Sequence, residues 1–355
     1  MAELLSIGLY TLILAYTGVG NLRVWAERRL LALPNERSSH TRPTPSGGGV
    51  AIVLSSLLGI LLFALLDHRL ALSLWLYLAG AAIIALVSWY DDRYTVANRI
   101  RFGVHSLGAI VLLGGIGFVS RIELPLLGQL SLSWLGLGLS LLWLVGLTNA
   151  YNFMDGIDGL AGSQAVLAGS SWALIGYWVE QPLLMAFGLL LAAGSLGFLS
   201  YNWPPASIFM GDVGSAFLGY SFATITLLGA LANPKLLVVG SLIFWPFLFD
   251  TLFTMGRRWW RGENIFQAHR SHLYQRLVIA GYSHRTVTLL YSALTLIGSA
   301  VGLAWFQAIP GSGLASLGLM LILPLGLVSF VNSRENQGQK ATALLGPPTS
   351  PSLPQ

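Results

Sequence analysis

The chain has 355 residues, 55% hydrophobic and 9% charged, with a mean hydropathy of +0.70; soluble domains carry roughly 25% charged residues, so the composition argues against a water-soluble fold. Cysteine is absent, which removes disulfides, zinc–thiolate and iron–sulfur sites and cysteine nucleophiles, and leaves oxygen or imidazole to bind any metal. The formal charge of +5 does not imply a nucleic-acid partner, because the basic residues are dispersed in loops beside apolar runs.

Apolar runs near the roughly 20 residues that cross a bilayer as helix place spans near 4–24, 49–66, 72–90, 103–120, 132–148, 163–179, 182–200, 214–232, 236–255, 286–305 and 313–331. The expectation is an all-α polytopic membrane protein with eleven transmembrane helices and catalytic loops on one face. Residues 1–331 form a single helical domain, and 332–355, with four prolines, a disordered tail. The first run lacks a basic start and a small-residue cleavage site, so it reads as a retained span. With the N-terminus outside, three of the nineteen Lys and Arg (Arg69, Arg121 and Lys235) lie outside, and the other 19 − 3 = 16, Arg37 and Lys340 among them, lie inside. That asymmetry sets the orientation. In the outer segment 121–131, Ile122, Leu124 and Leu126 alternate around Pro125 and Gly128, which fits a small hairpin or an irregular loop.

The chemistry lies in the inner loops. The first carries Arg42-Pro43-Thr44-Pro45-Ser46-Gly47-Gly48-Gly49, a stiffened, glycine-rich entry to a helix that can present N–H groups to an anion. In the second, Asp91-Asp92-Arg93 with Arg99 and Arg101 is either a solvated loop with ion pairs or a functional carboxylate pair. The third places Asn149, Asn152, Asp155 and Asp158 three residues apart; on a helix they would line one curved surface, with Gly156, Gly159 and Gly162 removing side chains beside them. Glycine-mediated helix packing explains the glycines but not the acids.

Asn202 follows, then Phe209-Met210-Gly211-Asp212-Val213-Gly214-Ser215, in which Asp212 is a helix cap or, with Asn152 or Asp155, an oxygen ligand for Mg²⁺. In the last loop, His269-Arg270-Ser271-His272 suits metal binding, hydrogen-bond donation to a diphosphate, or anchoring of a surface helix. Asp250, alone in its apolar span, is a structural hydrogen-bonding residue or part of a lipid groove. Ionisable residues in spans also raise the alternative of an ion-coupled transporter.

Together, and in this order from Arg37 to about Leu277, these segments resemble the polyprenyl-phosphate N-acetylhexosamine-1-phosphate transferases. That family includes enzymes that start O-antigen synthesis and the phospho-N-acetylmuramoyl-pentapeptide transferase of peptidoglycan. The resemblance implies a Mg²⁺-dependent (or Mn²⁺-dependent) attack of undecaprenyl phosphate on the β-phosphorus of a UDP-N-acetylhexosamine at the cytoplasmic face of the bacterial inner membrane, releasing UMP. Membrane lipid surrounds the chain, and a homodimer is compatible with it.

On this resemblance Asp212 is the principal metal ligand with Asn152 nearby, and Asp91 accepts a proton from the lipid phosphate with Asp92 as its partner. Asp155 and Asp158 belong to the nucleotide and metal region, Asn202 and Phe209 lie beside uracil, and His269, with His272, belongs to the catalytic loop. Asn149, Arg42, Arg93, Arg99, Arg101 and Arg270 are expected to bind substrate. The peptidoglycan enzyme has consecutive histidines where this chain has His269-Arg270-Ser271-His272. That departure is similar to the O-antigen branch, whose members use UDP-N-acetylglucosamine or a deoxygenated relative; the peptidoglycan transferase is the alternative within the class.

Overall fold

The computed structural model describes residues 1–345 except 35–38, 40–41, 69, 95, 265–266 and 268, with side chains described as far as 337. The topology assignments of Arg37 and Arg69, the side chain of Lys340 and part of the first inner loop lie outside the described residues.

Thirteen helices are described: α1 (Ala2–Ala26), α2 (Gly49–Leu66), α3 (Leu72–Tyr94), α4 (Asn98–Ile116), α5 (Leu135–Phe153), α6 (Leu160–Trp178), α7 (Pro182–Asn202), α8 (Asp212–Ala232), α9 (Leu236–Ile243), α10 (Trp245–Trp260), α11 (Leu273–Ile279), α12 (His284–Phe306) and α13 (Ser312–Leu345). Strand β1 (Leu31–Ala32) pairs antiparallel with β2 (Thr44–Pro45), and β3 (Arg121–Leu124) with β4 (Gly128–Ser131), the latter in the register Arg121 opposite Ser131. The outer segment is therefore the hairpin of the two expected alternatives. Apolar residues surround most helices, and Leu54, Leu86, Leu142 and Leu321 remain exposed. Such surfaces suit a lipid solvent, in which every backbone group must be satisfied within its own helix.

Among the described residues, eight helices are long and apolar enough to cross a membrane, and the pair α9–α10 makes a ninth if counted as one span. The expected eleven are not reached on this measure, because α5 and α6, although 19 residues each, carry Asn149, Asn152, Ser163 and Gln164. The expected straight span 236–255 is also corrected: α9 and α10 meet at a 74° bend, where Pro246 lacks a donor for the helix ladder. Gln164 Nε2 donates to the carbonyl of Ile243 at 3.2 Å, supplying a partner at the break. Helix α13 runs on through the first part of the expected tail to Leu345, and the rest of that tail lies outside the described residues. Arg276 Nε donates to Glu335 Oε1 at 2.6 Å and Arg276 Nη2 to Asn332 Oδ1 at 2.7 Å, and the four tail prolines all follow Leu345.

Helix α8 is the central helix, buried along most of its length between α3, α5 and α2. Its close approach to α2 rests on two glycines: a Cβ on Gly49 would lie 2.4 Å from the Gly214 Cα and 2.8 Å from the Met210 carbonyl oxygen. The opposing atoms are backbone and cannot rotate away. Gly49→Val is expected to separate the starts of α2 and α8 and lower stability by about 1–3 kcal/mol, read as a drop in the thermal midpoint of the detergent-solubilised protein; an unchanged midpoint would contradict this packing.

Candidate active site

The last turns of α3 and α5, the first turns of α4 and α8, and the turn after α5 bring the acidic residues together. Asp91 and Asp92 lie in the last turn of α3. Asp92 Oδ1 accepts from the Asp212 N–H at 2.8 Å and Oδ2 from the Val213 N–H at 3.3 Å. The first-turn donors of a helix have no partner within it, and at α8 they are met by a carboxylate from another helix. Gly211 permits this with φ +77° and no side chain; a Cβ there would lie 2.7 Å from Asp92 Oδ2. Asp212 is thereby left to face Arg101, whose Nη1 donates to Asp212 Oδ2 at 2.7 Å and to Asp91 Oδ2 at 2.6 Å. The other arm of Arg101 donates to Asn98 Oδ1 at 2.6 Å, and Asp91 Oδ1 accepts the Val96 N–H.

Helix α5 supplies the third side. Asn152 Nδ2 donates to Ser215 Oγ at 2.9 Å, which sets it against the first turn of α8 beside Asp212, while Asn149 Nδ2 donates to the Val145 carbonyl at 2.7 Å. The expected helical row of four stops here: α5 ends at Phe153 and α6 begins only after Gly159, which has φ +76°. Asp155 and Asp158 therefore occupy a turn. Burial, reinforced by Asp212, Asp92 and Asp158, pushes the Asp155 carboxyl well above the ordinary range.

Asp158 joins the turn to α12 and to the segment before α8. Its Oδ2 accepts the Ala206 N–H at 3.0 Å and lies 3.3 Å from His284 Nδ1, and its carbonyl accepts Thr288 Oγ1–H at 2.8 Å. Asn202 is buried with both ends engaged, Oδ1 accepting from Gly159 N–H and Nδ2 donating to the Ile208 carbonyl, each at 2.9 Å. Its amide ties the α5–α6 turn to the segment before α8. Phe209 is half-buried, its N–H donating to the Pro45 carbonyl at 2.8 Å.

Two expectations about anion binding are corrected. The N–H groups of Gly48 and Gly49 donate to the carbonyls of Phe209 and Met210 at 2.9 and 2.8 Å, so the glycine run builds the site wall and does not offer those donors to a phosphate. Arg93 stacks over Trp89 and Trp25, at 4.4 and 5.2 Å from their ring centroids, because the last turn of α3 turns it toward α1. Arg99 and Arg42 are exposed. Arg101 alone of this set is placed between the carboxylates in the structure.

The histidine segment precedes α11. His269 is half-buried, with Nδ1 2.9 Å from Ser271 Oγ and its ring centroid 5.0 Å from that of His272. Burial, then His272, Arg258 and Arg257, push the His269 imidazole down to about 4. Arg270 Nε is buried with no hydrogen-bond partner among the described residues, a donor suited to an anion. His272, expected at the reacting centre, is almost wholly buried, with Nδ1 3.1 Å from Asp250 Oδ1. His284 is not marked by any sequence motif, whereas Asp250, an acid in an apolar span, takes the first of its two expected roles, that of a structural hydrogen-bonding residue.

For His269 the unfolded chain binds more protons than the folded one between the ordinary histidine value and about 4, so stability is lost as pH falls through that window. His269→Gln is expected to flatten the pH dependence of the thermal midpoint there. An identical profile in both proteins would contradict the neutral, half-buried imidazole.

Asp91 and Asp212 share the Arg101 guanidinium, Asp92 sits on the N–H groups of Asp212 and Val213, and Asp155 lies within electrostatic reach of Asp212 and Asp92; the acids repel one another, a repulsion that a hard cation would offset. Among the described residues no three Asp, Glu or His side chains gather as a ready metal cage. The donor set fits Mg²⁺, which takes one or two carboxylates and completes its shell with substrate phosphates and water.

A model described as glycosyl transferase family 4 matches residues 74–230. The chain is 33% identical over 270 residues to the "Probable undecaprenyl-phosphate N-acetylglucosaminyl 1-phosphate transferase" of Bacillus subtilis, covering 75% of this chain and 74% of the relative. It is 29% identical to the decaprenyl-phosphate N-acetylglucosaminephosphotransferase of Mycobacterium leprae, covering 95% and 92% of the two chains. A phospho-N-acetylmuramoyl-pentapeptide-transferase of Lacticaseibacillus paracasei is 29% identical over 274 residues, covering 74% and 84%.

Proposed function

Because this chain belongs to glycosyl transferase family 4, we propose that it transfers N-acetylhexosamine 1-phosphate from a UDP-sugar to undecaprenyl phosphate, giving the polyprenyl-diphosphate sugar and UMP. The observation that carries this reading is the gathering of four acids at one end of a membrane bundle: Asp91 and Asp212 bridged by Arg101, Asp92 on the first turn of α8, and Asp155 within electrostatic reach of Asp212 and Asp92. A phosphate oxygen of the lipid attacks the β-phosphorus of the donor, and the bond to the α-phosphate oxygen breaks. Two anionic substrates have to meet, so neutralisation and alignment dominate the chemistry.

Bound at Asp212 with Asn152 alongside, Mg²⁺ would offset the diphosphate charge and favour departure of UMP. Arg101 holds Asp91 and Asp212 in fixed relation, and Asp92 fixes the start of α8. Arg270, with an unpartnered buried Nε, is suited to the diphosphate. A lipid phosphate already ionised near neutral pH needs little general-base help, so Asp91, engaged by Arg101 and the Val96 N–H, acts mainly in positioning. The excess of basic residues beside these segments supports a site at the cytoplasmic face of the inner membrane.

The donor is UDP-N-acetylglucosamine or a deoxygenated relative, and the product starts a surface glycan such as O-antigen. Support comes from His269-Arg270-Ser271-His272 in place of consecutive histidines, and from the identity to the N-acetylglucosaminyl relative, 33% against 28% to 32% for pentapeptide transferases. Competition of labelled UDP-N-acetylglucosamine with UDP-N-acetylmuramoyl pentapeptide tests the choice. The hexosamine is expected to label the lipid; labelling only from the pentapeptide donor would move the chain to peptidoglycan synthesis. The transporter alternative loses its main support, because Asp250 is enclosed by protein donors.

A further inference from the structure

Five donors meet on one carboxylate inside α10. Asp250 is fully buried; its Oδ1 accepts from Leu273 N–H at 2.8 Å, His272 Nδ1 at 3.1 Å and Thr254 Oγ1–H at 3.1 Å, and its Oδ2 from Tyr291 O–H at 2.7 Å and Tyr274 N–H at 3.1 Å. A carboxylate has about four lone-pair sites, so this one is saturated. The partners come from three places: the same helix, the start of α11, and α12. The 74° bend between α9 and α10 and the continuation of the chain into the histidine segment put the acid beneath that segment.

We propose that Asp250 is a positioning residue that holds His272 and the first two N–H groups of α11, and through them fixes His269 and Arg270 against the end of α5 and the Asp155-bearing turn that follows it. The onward contacts are present: the His272 ring centroid lies 6.2 Å from that of Phe153, and Tyr274 O–H donates to the Phe153 carbonyl at 3.0 Å, two residues before Asp155. A Cβ on Gly156 would lie 2.1 Å from the Tyr274 hydroxyl oxygen, so the α5–α6 turn and the start of α11 are fitted to each other. Donation from Nδ1 to Asp250 also fixes which ring nitrogen of His272 carries the proton. The inference rests on the reading of His269 as part of the reacting face.

Asp250→Asn keeps the shape but replaces one acceptor oxygen by an NH₂ group, which leaves at least one of the converging backbone donors unmet. The turnover number for UMP release is expected to fall about 10- to 100-fold per folded molecule, as for lost outer partners of active-site histidines, with KM for the UDP-sugar changing much less. Combined with His269→Gln, the loss is expected to be no greater than that of the slower single variant, because both changes disable one unit. Tyr291→Phe removes a single donor and is expected to give a smaller loss with the same non-additivity, which keeps the test open if Asp250→Asn folds poorly.

Independently of turnover, ¹⁵N spectra of histidine-labelled protein are expected to show His272 protonated at Nδ1, and both His272 and His269 signals displaced in Asp250→Asn. Losses that multiply with His269→Gln, a lower thermal midpoint with unchanged turnover per folded molecule, or unmoved His269 signals would each overturn the proposal. If the parent itself releases no UMP from any donor, the reaction assignment fails, and the spectra alone decide the positioning role.

Discussion

Asp212→Ala is expected to reduce turnover by at least about 10³-fold, roughly 4 kcal/mol of transition-state stabilisation, while leaving the thermal midpoint unchanged or slightly higher. The two halves of this result have one cause. Asp212 shares Arg101 with Asp91 and lies within electrostatic reach of Asp92 and Asp155, so removing one acid relieves repulsion in the substrate-free protein. The helix start survives, because the caps on the Asp212 and Val213 N–H groups come from Asp92 and not from the Asp212 side chain. Activity is lost because the residue best placed to share a divalent cation with substrate phosphates is gone. Steady-state UMP release combined with a melting curve separates the outcomes: lost activity with a collapsed midpoint would make Asp212 a structural cap, and near-parental turnover would remove it from the metal site.

Arg101→Ala is expected to lower kcat/KM about 10²- to 10³-fold and, unlike Asp212→Ala, to lower the thermal midpoint. Its Nη1 joins Asp91 of α3 to Asp212 of α8 and its Nη2 reaches Asn98; without it the carboxylates repel across the gap with no protein cation to offset them. Arg101→Lys is expected to recover only part of the activity, since an ammonium is a point charge on a flexible stem and does not reproduce the planar fork. The measurement is turnover across a Mg²⁺ titration. Full rescue of Arg101→Ala by higher Mg²⁺ would show that charge alone matters, and persistence of the defect at saturation supports the geometric role. Parental activity in both variants would contradict any role for Arg101 in the site.

The bundle was legible because lipid-facing helices are written as apolar runs. The approximate positions of most helices followed from that alone. Helix breaks were less visible. Pro246 signalled the α9–α10 bend, but the surrounding residues are uniformly apolar, so length and composition read it as one straight span. The row at 149, 152, 155 and 158 misled for a related reason: a three-residue spacing is a helical signal only while the helix lasts, and Gly159 in a left-handed conformation closes the turn that ends it.

Within the site, residue types were easier to read than partners. Asp91 and Asp212 were visible as acids at helix ends, yet nothing local tells that Arg101 joins them, or that Asp92 caps a helix 120 positions away in the chain. Conversely Arg93, adjacent to Asp92, turns away to stack on tryptophans. Asn202 and Asp158 show the same limit: both are polar residues near the site, and both spend their hydrogen bonds joining the α5–α6 turn to its neighbours. Asp250 and His272 became intelligible only once α10 and α11 were seen to meet.

The most direct test of the central claim is UMP release by the purified, detergent-solubilised protein given undecaprenyl phosphate and UDP-N-acetylglucosamine, with Mg²⁺ either present or chelated. UMP formed in step with polyprenyl-diphosphate sugar, dependent on both lipid and cation and lost in Asp212→Ala, is the predicted result. Absence of UMP with every UDP-N-acetylhexosamine and with the pentapeptide donor, from protein that melts cooperatively, would contradict it.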